Sequence, residues 1–148
     1  SASGVIGFAG RRPVSMLRVI FPENTEETAL WEVRACLNEH RIETFHSACG
    51  VEGLCLLLSS GAEADALHAA AEQLRERFPD AKVKLRENLA VLLALCRSTK
   101  DIPKLSAAIE ASGAPVHHLV QTPPGAMFCV NDSQYEQALR AAYQAAFG

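Results

Sequence analysis

The 148-residue chain carries 14 Lys and Arg against 17 Asp and Glu, a formal net charge of -3, with 49% apolar and 21% charged residues. That is the balance of a soluble globular protein with room for one ordinary domain or two small ones. It offers no basic footprint for nucleic acid. The longest apolar run, Leu89 to Cys96, falls far short of the ~20 residues of a spanning helix, and Ser1-Ala2-Ser3-Gly4 lacks the basic and apolar stretches of a secretory signal. No membrane partner is expected. The 5 cysteines are odd in number and form no Cys-x-x-Cys pair. Buried, reduced thiols in a cytoplasmic protein are the expectation, with no metal and no cofactor.

In chain order, β-branched and apolar runs between Gly and Pro predict strands at Val5 to Ala9 and Val14 to Phe21, separated by a basic turn, Arg11-Arg12-Pro13. A helix follows at Glu27 to Glu39, with Leu30, Val33 and Leu37 on one stripe and Trp31 read as a packing or interface residue. Strands Ile42 to Ala48 and Gly53 to Ser59 flank a Gly turn and read as a hairpin. The next helix, Glu63 to Phe78, stops at Pro79. Strands Ala81 to Leu85 and Leu89 to Cys96 come next. A third helix opens at Asp101, whose carboxylate can accept from first-turn NH groups, and closes at Gly113. Strands Val116 to Thr122 and Ala126 to Val130 flank Pro123-Pro124-Gly125, and a capping box of Ser133 and Glu136 predicts the start of a last, Ala-rich helix.

From Val14 the order is strand, helix, strand, strand, helix, strand, and most of it repeats from Leu89 with a period of about 75 residues. Helices on one face of such hairpins give the split β-α-β arrangement of ferredoxin-like α+β folds. The strand count is uneven: the second half ends on a helix, whereas the first has a spare strand, Val5 to Ala9, ahead of its own unit. If that strand crosses over to complete the second sheet, both units have four strands. The implied units are 10-86, and 4-9 plus 87-148.

In that detail the chain resembles the tandem ACT regulatory region of aspartokinase (aspartate kinase). Gly4-Val5-Ile6-Gly7-Phe8-Ala9-Gly10 is similar to the family's leading strand, and Leu37-Asn38-Glu39-His40-Arg41-Ile42 to its first helix end and return strand. Asn131-Asp132-Ser133-Gln134-Tyr135-Glu136 and the Ala-rich run to Phe147 are similar to its closing strand end and helix. The resemblance implies a non-catalytic regulatory fragment of a transferase of amino-acid biosynthesis from aspartate (lysine, threonine, methionine). It further implies a small amino-acid effector such as lysine or threonine, a homodimer, and a kinase domain in the full-length protein. The family's effector loop commonly reads Asp-x-Pro-Gly after the first strand, whereas here Pro22-Glu23-Asn24-Thr25-Glu26-Glu27 lacks the glycine. The corresponding second loop is shortened to Arg97-Ser98-Thr99-Lys100-Asp101. These departures keep an alternative open, an ACT pair that binds no ligand and serves as a dimerisation platform, with an apolar face such as Leu54 to Leu58 as its interface.

For a bound amino acid, helix N-terminal NH groups suit the carboxylate, and an acidic or amide side chain the ammonium. By position the candidates are Asn24, Thr25 and Glu43 in the first unit, and Ser98, Thr99 and His117 in the second. Ordinary N-capping is the competing role for Asn24 and Thr25. His117 and His118 are adjacent in a predicted strand, so one is expected buried and one wet rather than both on a metal. The Glu23, Glu26, Glu27 cluster suits a helix N-terminus better than a cation. No phosphate loop, nucleophile elbow or zinc-protease motif occurs.

Overall fold

The computed structural model describes residues 4–22, 26–51, 53–59 and 64–148. Its elements are β1 (Val5–Ile20), α1 (Glu26–Glu39), β2 (Thr44–Gly50), β3 (Gly53–Ser59), α2 (Ala64–Arg77), β4 (Lys82–Cys96), α3 (Ile102–Ala111), β5 (His118–Thr122), β6 (Gly125–Asn131) and α4 (Tyr135–Phe147). The chain divides into two compact units, an amino-terminal one at Val14–Glu87 and a carboxy-terminal one made of Asn88–Gly148 with the leading segment up to Pro13.

In the amino-terminal unit the strand order is β2-β3-β1-β4. Antiparallel registers pair Leu17 with Leu56 and Val19 with Leu54 on β1 and β3. Because side chains alternate across a strand, Leu17, Val19, Leu54, Leu56 and Leu58 face one side. There they form a core with Val33, Cys36 and Leu37 of α1 and Leu67, Ala70, Ala71 and Leu74 of α2. Each fully buried Leu contributes about 1.5–3 kcal/mol of transfer free energy. Phe21 and Phe78 meet edge to face at 5.2 Å beside that core. β3 is central, so Leu54, Leu56, Leu57 and Leu58 are at most 1% exposed. The Leu54 to Leu58 run is therefore no exposed interface: both edges of β3 are paired, and Leu54, Leu56 and Leu58 are packed into the core with α1 and α2. Trp31 is 73% exposed and takes no part in core packing.

In the carboxy-terminal unit the order is β1-β4-β6-β5. Ala90, Leu92 and Ala94 of β4 pair with Val130, Phe128 and Ala126 of β6. They build a core with Ile102, Leu105 and Ile109 of α3 and Tyr135, Ala138, Ala142 and Ala146 of α4. Alanine at every fourth position lets α4 lie close on the sheet. Gly113, at φ +96, closes α3 as a left-handed cap.

The leading strand completes this second sheet, with Val5 buried in its core and Phe8 packed on it. Both ends of that strand are tied within the unit. At one end Arg97 N donates to Gly4 O at 2.8 Å. At the other the Arg12 guanidinium, lying 4.6 Å over the Tyr135 ring, pairs with Asp132 at 2.9 Å. A Cβ at Gly10 would overlap the Tyr135 ring, so glycine is what allows the strand to pass.

Several boundaries differ from the sequence reading. Arg11-Arg12-Pro13 is no turn: β1 runs unbroken to Ile20, held at Arg12 by the long-range pair with Asp132. The two strands expected at Ala81 to Leu85 and Leu89 to Cys96 are likewise one, β4, which passes through Asn88 at φ 57. The Ser133–Glu136 capping box does not form; a 3-10 turn, Asp132–Gln134, leads into α4 without a side-chain cap. Of the cysteines, Cys36, Cys55, Cys96 and Cys129 are buried but Cys49, near the end of the edge strand β2, is exposed.

Two measurements test this arrangement. Burial pushes the Cys36 and Cys96 thiols up from their ordinary range, so in the native state Cys49 should be alkylated first and those two only after unfolding. Val5→Ala should cost roughly 2 kcal/mol in chemical denaturation. By hydrogen exchange the lost protection should fall in Asn88–Gly148; a loss confined to Val14–Glu87 would contradict the strand placement.

Candidate functional site

The loop after β4 is built from local hydrogen bonds. Ser98 is extended at φ -148, ψ 150, and its Oγ accepts from Lys100 N at 3.0 Å, opening a 3-10 turn, Thr99–Asp101, that runs straight into α3. Pro103 suits the first turn of α3 because the amide it lacks has no intrahelical partner there. Asp101 does not cap α3 as the sequence suggests. Its carboxylate instead accepts from Gly4 N at 2.7 Å, a contact between residues 97 positions apart that local sequence could not reveal. On the loop's other flank Cys96 N donates to Pro124 O at 2.7 Å. Loop, leading strand and β5–β6 turn are thus stitched together.

Between these three segments lies a groove of about 790 Å³, within the range that small-molecule sites occupy. Ile6, Cys96, Pro123 and Pro124 supply apolar surface; Arg97, Ser98, Thr99, Gln121 and Thr122 supply polar groups. Gly125 belongs here because a Cβ would run into the Ala94 carbonyl across the ladder. Ser98 and Thr99 were candidates from sequence; Arg97, Ile6, Gln121 and the two prolines were not. The pairing of Leu95 with Gly125 is what brings the turn to the loop. The hairpin signal was present in the sequence, but its partner was not.

The remaining candidates lie elsewhere. His117 donates its backbone NH to Cys129 O at 2.8 Å, and its ring meets Asn131 at 2.8 Å. Since Asn131 pairs with Leu89 and Gly125 with Leu95, His117 sits at the far end of its sheet from Ser98 and Thr99. Six rungs at ~3.4 Å put them roughly 20 Å apart. Asn131 Nδ2 in turn donates to Gln134 at 2.9 Å, and Gln134 to the Gly113 carbonyl, so this end of the unit is a structural network. Both His117 and His118 are half-buried, not one buried and one exposed. Among the described residues no cluster of His, Cys, Asp and Glu could hold a metal. Glu43 is exposed, and its backbone carbonyl accepts from Ser59 N at the Val14–Ser59 end of the other sheet. Asn24, Thr25 and Glu23 lie outside the described residues, as do the side chains of Glu26 and Glu27.

No helix among the described residues is long and apolar enough to cross a membrane. No protein-family model matches the sequence, and no curated protein does so significantly. Solved structures do match. Clostridium acetobutylicum aspartate kinase superposes with a TM-score of 0.83 at 16% identity, over 95% of this chain. This chain spans only 34% of that enzyme's length. The ligand-free regulatory subunit of aspartate kinase from Thermus thermophilus matches at TM-score 0.76 and 22% identity, covering 98% of this chain and 99% of that one. Escherichia coli aspartokinase III in complex with lysine and aspartate matches at 0.74 and 17%, over 99% of this chain and 34% of that one. At these identities the likeness is one of fold. The fold is a tandem pair of ferredoxin-like ACT units whose leading strand completes the second unit. Among solved proteins it is the fold of aspartokinase regulatory regions.

The Asp101–Gly4 contact gives a direct test of the site's construction. Asp101→Asn keeps the shape and can still accept, but without charge, so exchange at the Gly4 to Ile6 amides should accelerate several-fold while α3 stays protected. Unchanged exchange at those amides would mean that the carboxylate does not hold the strand.

Proposed function

We propose that this chain is the regulatory region of an aspartate kinase, which senses a small amino acid and biases an attached or associated kinase domain in biosynthesis from aspartate. The single observation that supports this most is the leading strand. A strand that begins ahead of one unit and finishes the sheet of the other is a topological oddity, and it is shared over nearly the whole chain with regulatory subunits of that enzyme. In the matched Escherichia coli enzyme the bound molecules are lysine and aspartate. By analogy an effector here is lysine or threonine, held at the Ser98–Thr99 groove or at the Asn24–Thr25 loop. A coupling of about 1–3 kcal/mol between effector and kinase is the ordinary size for such control. Phosphoryl transfer would belong to the kinase domain, in the cytoplasm.

A second reading has its own support. Trp31 is 73% exposed on α1, and aromatic residues of that kind are favoured at interfaces. β2 is an edge strand of its unit. The chain then also works as a homodimer platform, with or without ligand.

Thermal unfolding with lysine, threonine and methionine separates the readings. An effector at a hundred times its Kd adds about 2.7 kcal/mol of stability and raises Tm; no shift with any of the three removes the sensing role. Light scattering should give a dimer that Trp31→Ala weakens, and monomer at high concentration would remove the platform role.

A further inference from the structure

The leading strand has an edge that its own sheet does not use. β3 pairs with β1 only over Val14–Val19, and in the carboxy-terminal unit β1 lies next to β4 alone. From Val5 to Arg12 it is therefore an edge strand among the described residues. Gly4 O accepts from Arg97 N, just beyond the end of β4. In an antiparallel ladder the NH and CO of one residue point to the same side, and successive residues alternate. Even-numbered residues accordingly bond to β4, and the NH and CO of Gly7 and Ala9 point to the open edge. Ala9 is exposed and Gly7 half-buried, and neither has a side chain large enough to keep another backbone away. Edges are ordinarily guarded by charge, proline or a bulge; here the guards, Arg11-Arg12-Pro13, stand only at the far end.

Beside this edge runs a groove of about 640 Å³, walled by Phe8 and Arg12 of β1 and by Tyr135, Leu139 and Tyr143 of α4. The Phe8, Tyr143 and Phe147 rings touch one another, with centroids 4.9 to 6.4 Å apart. They form a shelf on which Tyr143 is left 59% and Phe147 40% exposed. The charges at the groove balance. Arg12 is paired with Asp132 at 2.9 Å, and Arg140 lies one helical turn from Glu136, both lining the groove. A charged side chain laid there meets equal numbers of both signs and gains no net attraction. An apolar one covers the aromatic shelf and is favoured in proportion to the area removed from water.

We propose that the Val5–Arg12 edge and the α4 shelf together form a docking site for an extended segment of another polypeptide. The segment adds an antiparallel strand to the carboxy-terminal sheet and lays uncharged, apolar side chains at alternate positions on Phe8 and Tyr143. Backbone hydrogen bonds to Gly7 and Ala9 hold it, and the shelf selects its side chains. A second copy of the same edge is a poorer occupant, because after Phe8 its positions on that face are Gly10 and Arg12, a bare site and a guanidinium. The site is independent of any amino-acid effector.

Hydrogen exchange by NMR on the full chain tests this with a blocked synthetic heptapeptide, Thr-Val-Thr-Val-Thr-Val-Thr, as the probe. Saturating peptide should slow exchange about tenfold or more at the Gly7 and Ala9 amides, while those of Ile6 and Phe8, already bonded to β4, change little. Ala9→Pro removes an outward NH without touching the β4 ladder and should weaken the peptide about tenfold. Tyr143→Ser, at an exposed position, should weaken it roughly fivefold and keeps the test decisive if the proline disturbs the strand. The same peptide with lysine in place of valine should not bind. No saturable effect, protection that omits Gly7 and Ala9, equal binding of the lysine peptide, or indifference to both variants overturns the proposal. A dimer seen by light scattering without peptide, and dissolved by Ala9→Pro, would give the edge to a second copy and overturn it as well.

Discussion

The architecture depends on the pairing of the leading strand within the carboxy-terminal sheet. β4 has β6 on one side, and its other edge would present unsatisfied backbone groups if β1 did not cover it. The residues that fasten β1 are spread over the chain. Gly4 bonds to Arg97 and Asp101, Val5 enters the core, and Arg12 stacks on Tyr135 while paired to Asp132. Since the strand that closes the carboxy-terminal unit continues into the first strand of the other, the carboxy-terminal unit is built from two separate segments of chain, and both units contain a share of β1 and β4.

That fastening also makes the groove. A shortened loop after β4 would ordinarily offer little surface, but Gly4 and Ile6 run alongside it and the Pro123-Pro124-Gly125 turn closes the opposite side. Ligand chemistry at such a place is set by which charges are already engaged. Asp101 is taken by a backbone amide, and Arg97 has no side-chain partner among the described residues.

The two cores rest on a simpler principle. In each unit one face of a four-stranded sheet meets two helices, and the period-two pattern of β1, β3, β4 and β6 selects which side chains go there. Leu54 to Leu58 is apolar at every position because β3 is central and buried on both faces.

Much of this was legible from residues alone. The helix stripes, the hairpin turns, the stop at Gly113 and the surplus strand all follow from local periodicity and turn chemistry, which act over a few residues. Counting strands then implied the crossover, the detail in which the chain resembles an ACT pair. What local pattern could not contain were contacts between distant residues. The pairing of Arg12 with Asp132 turned an expected break into continuous strand, and the Gly4 amide drew Asp101 away from capping α3. The ladder register sent His117 to one end of the sheet and Ser98 to the other. Register and long-range hydrogen bonds are properties of two segments at once, so only the folded chain decided which of the candidate residues share a site.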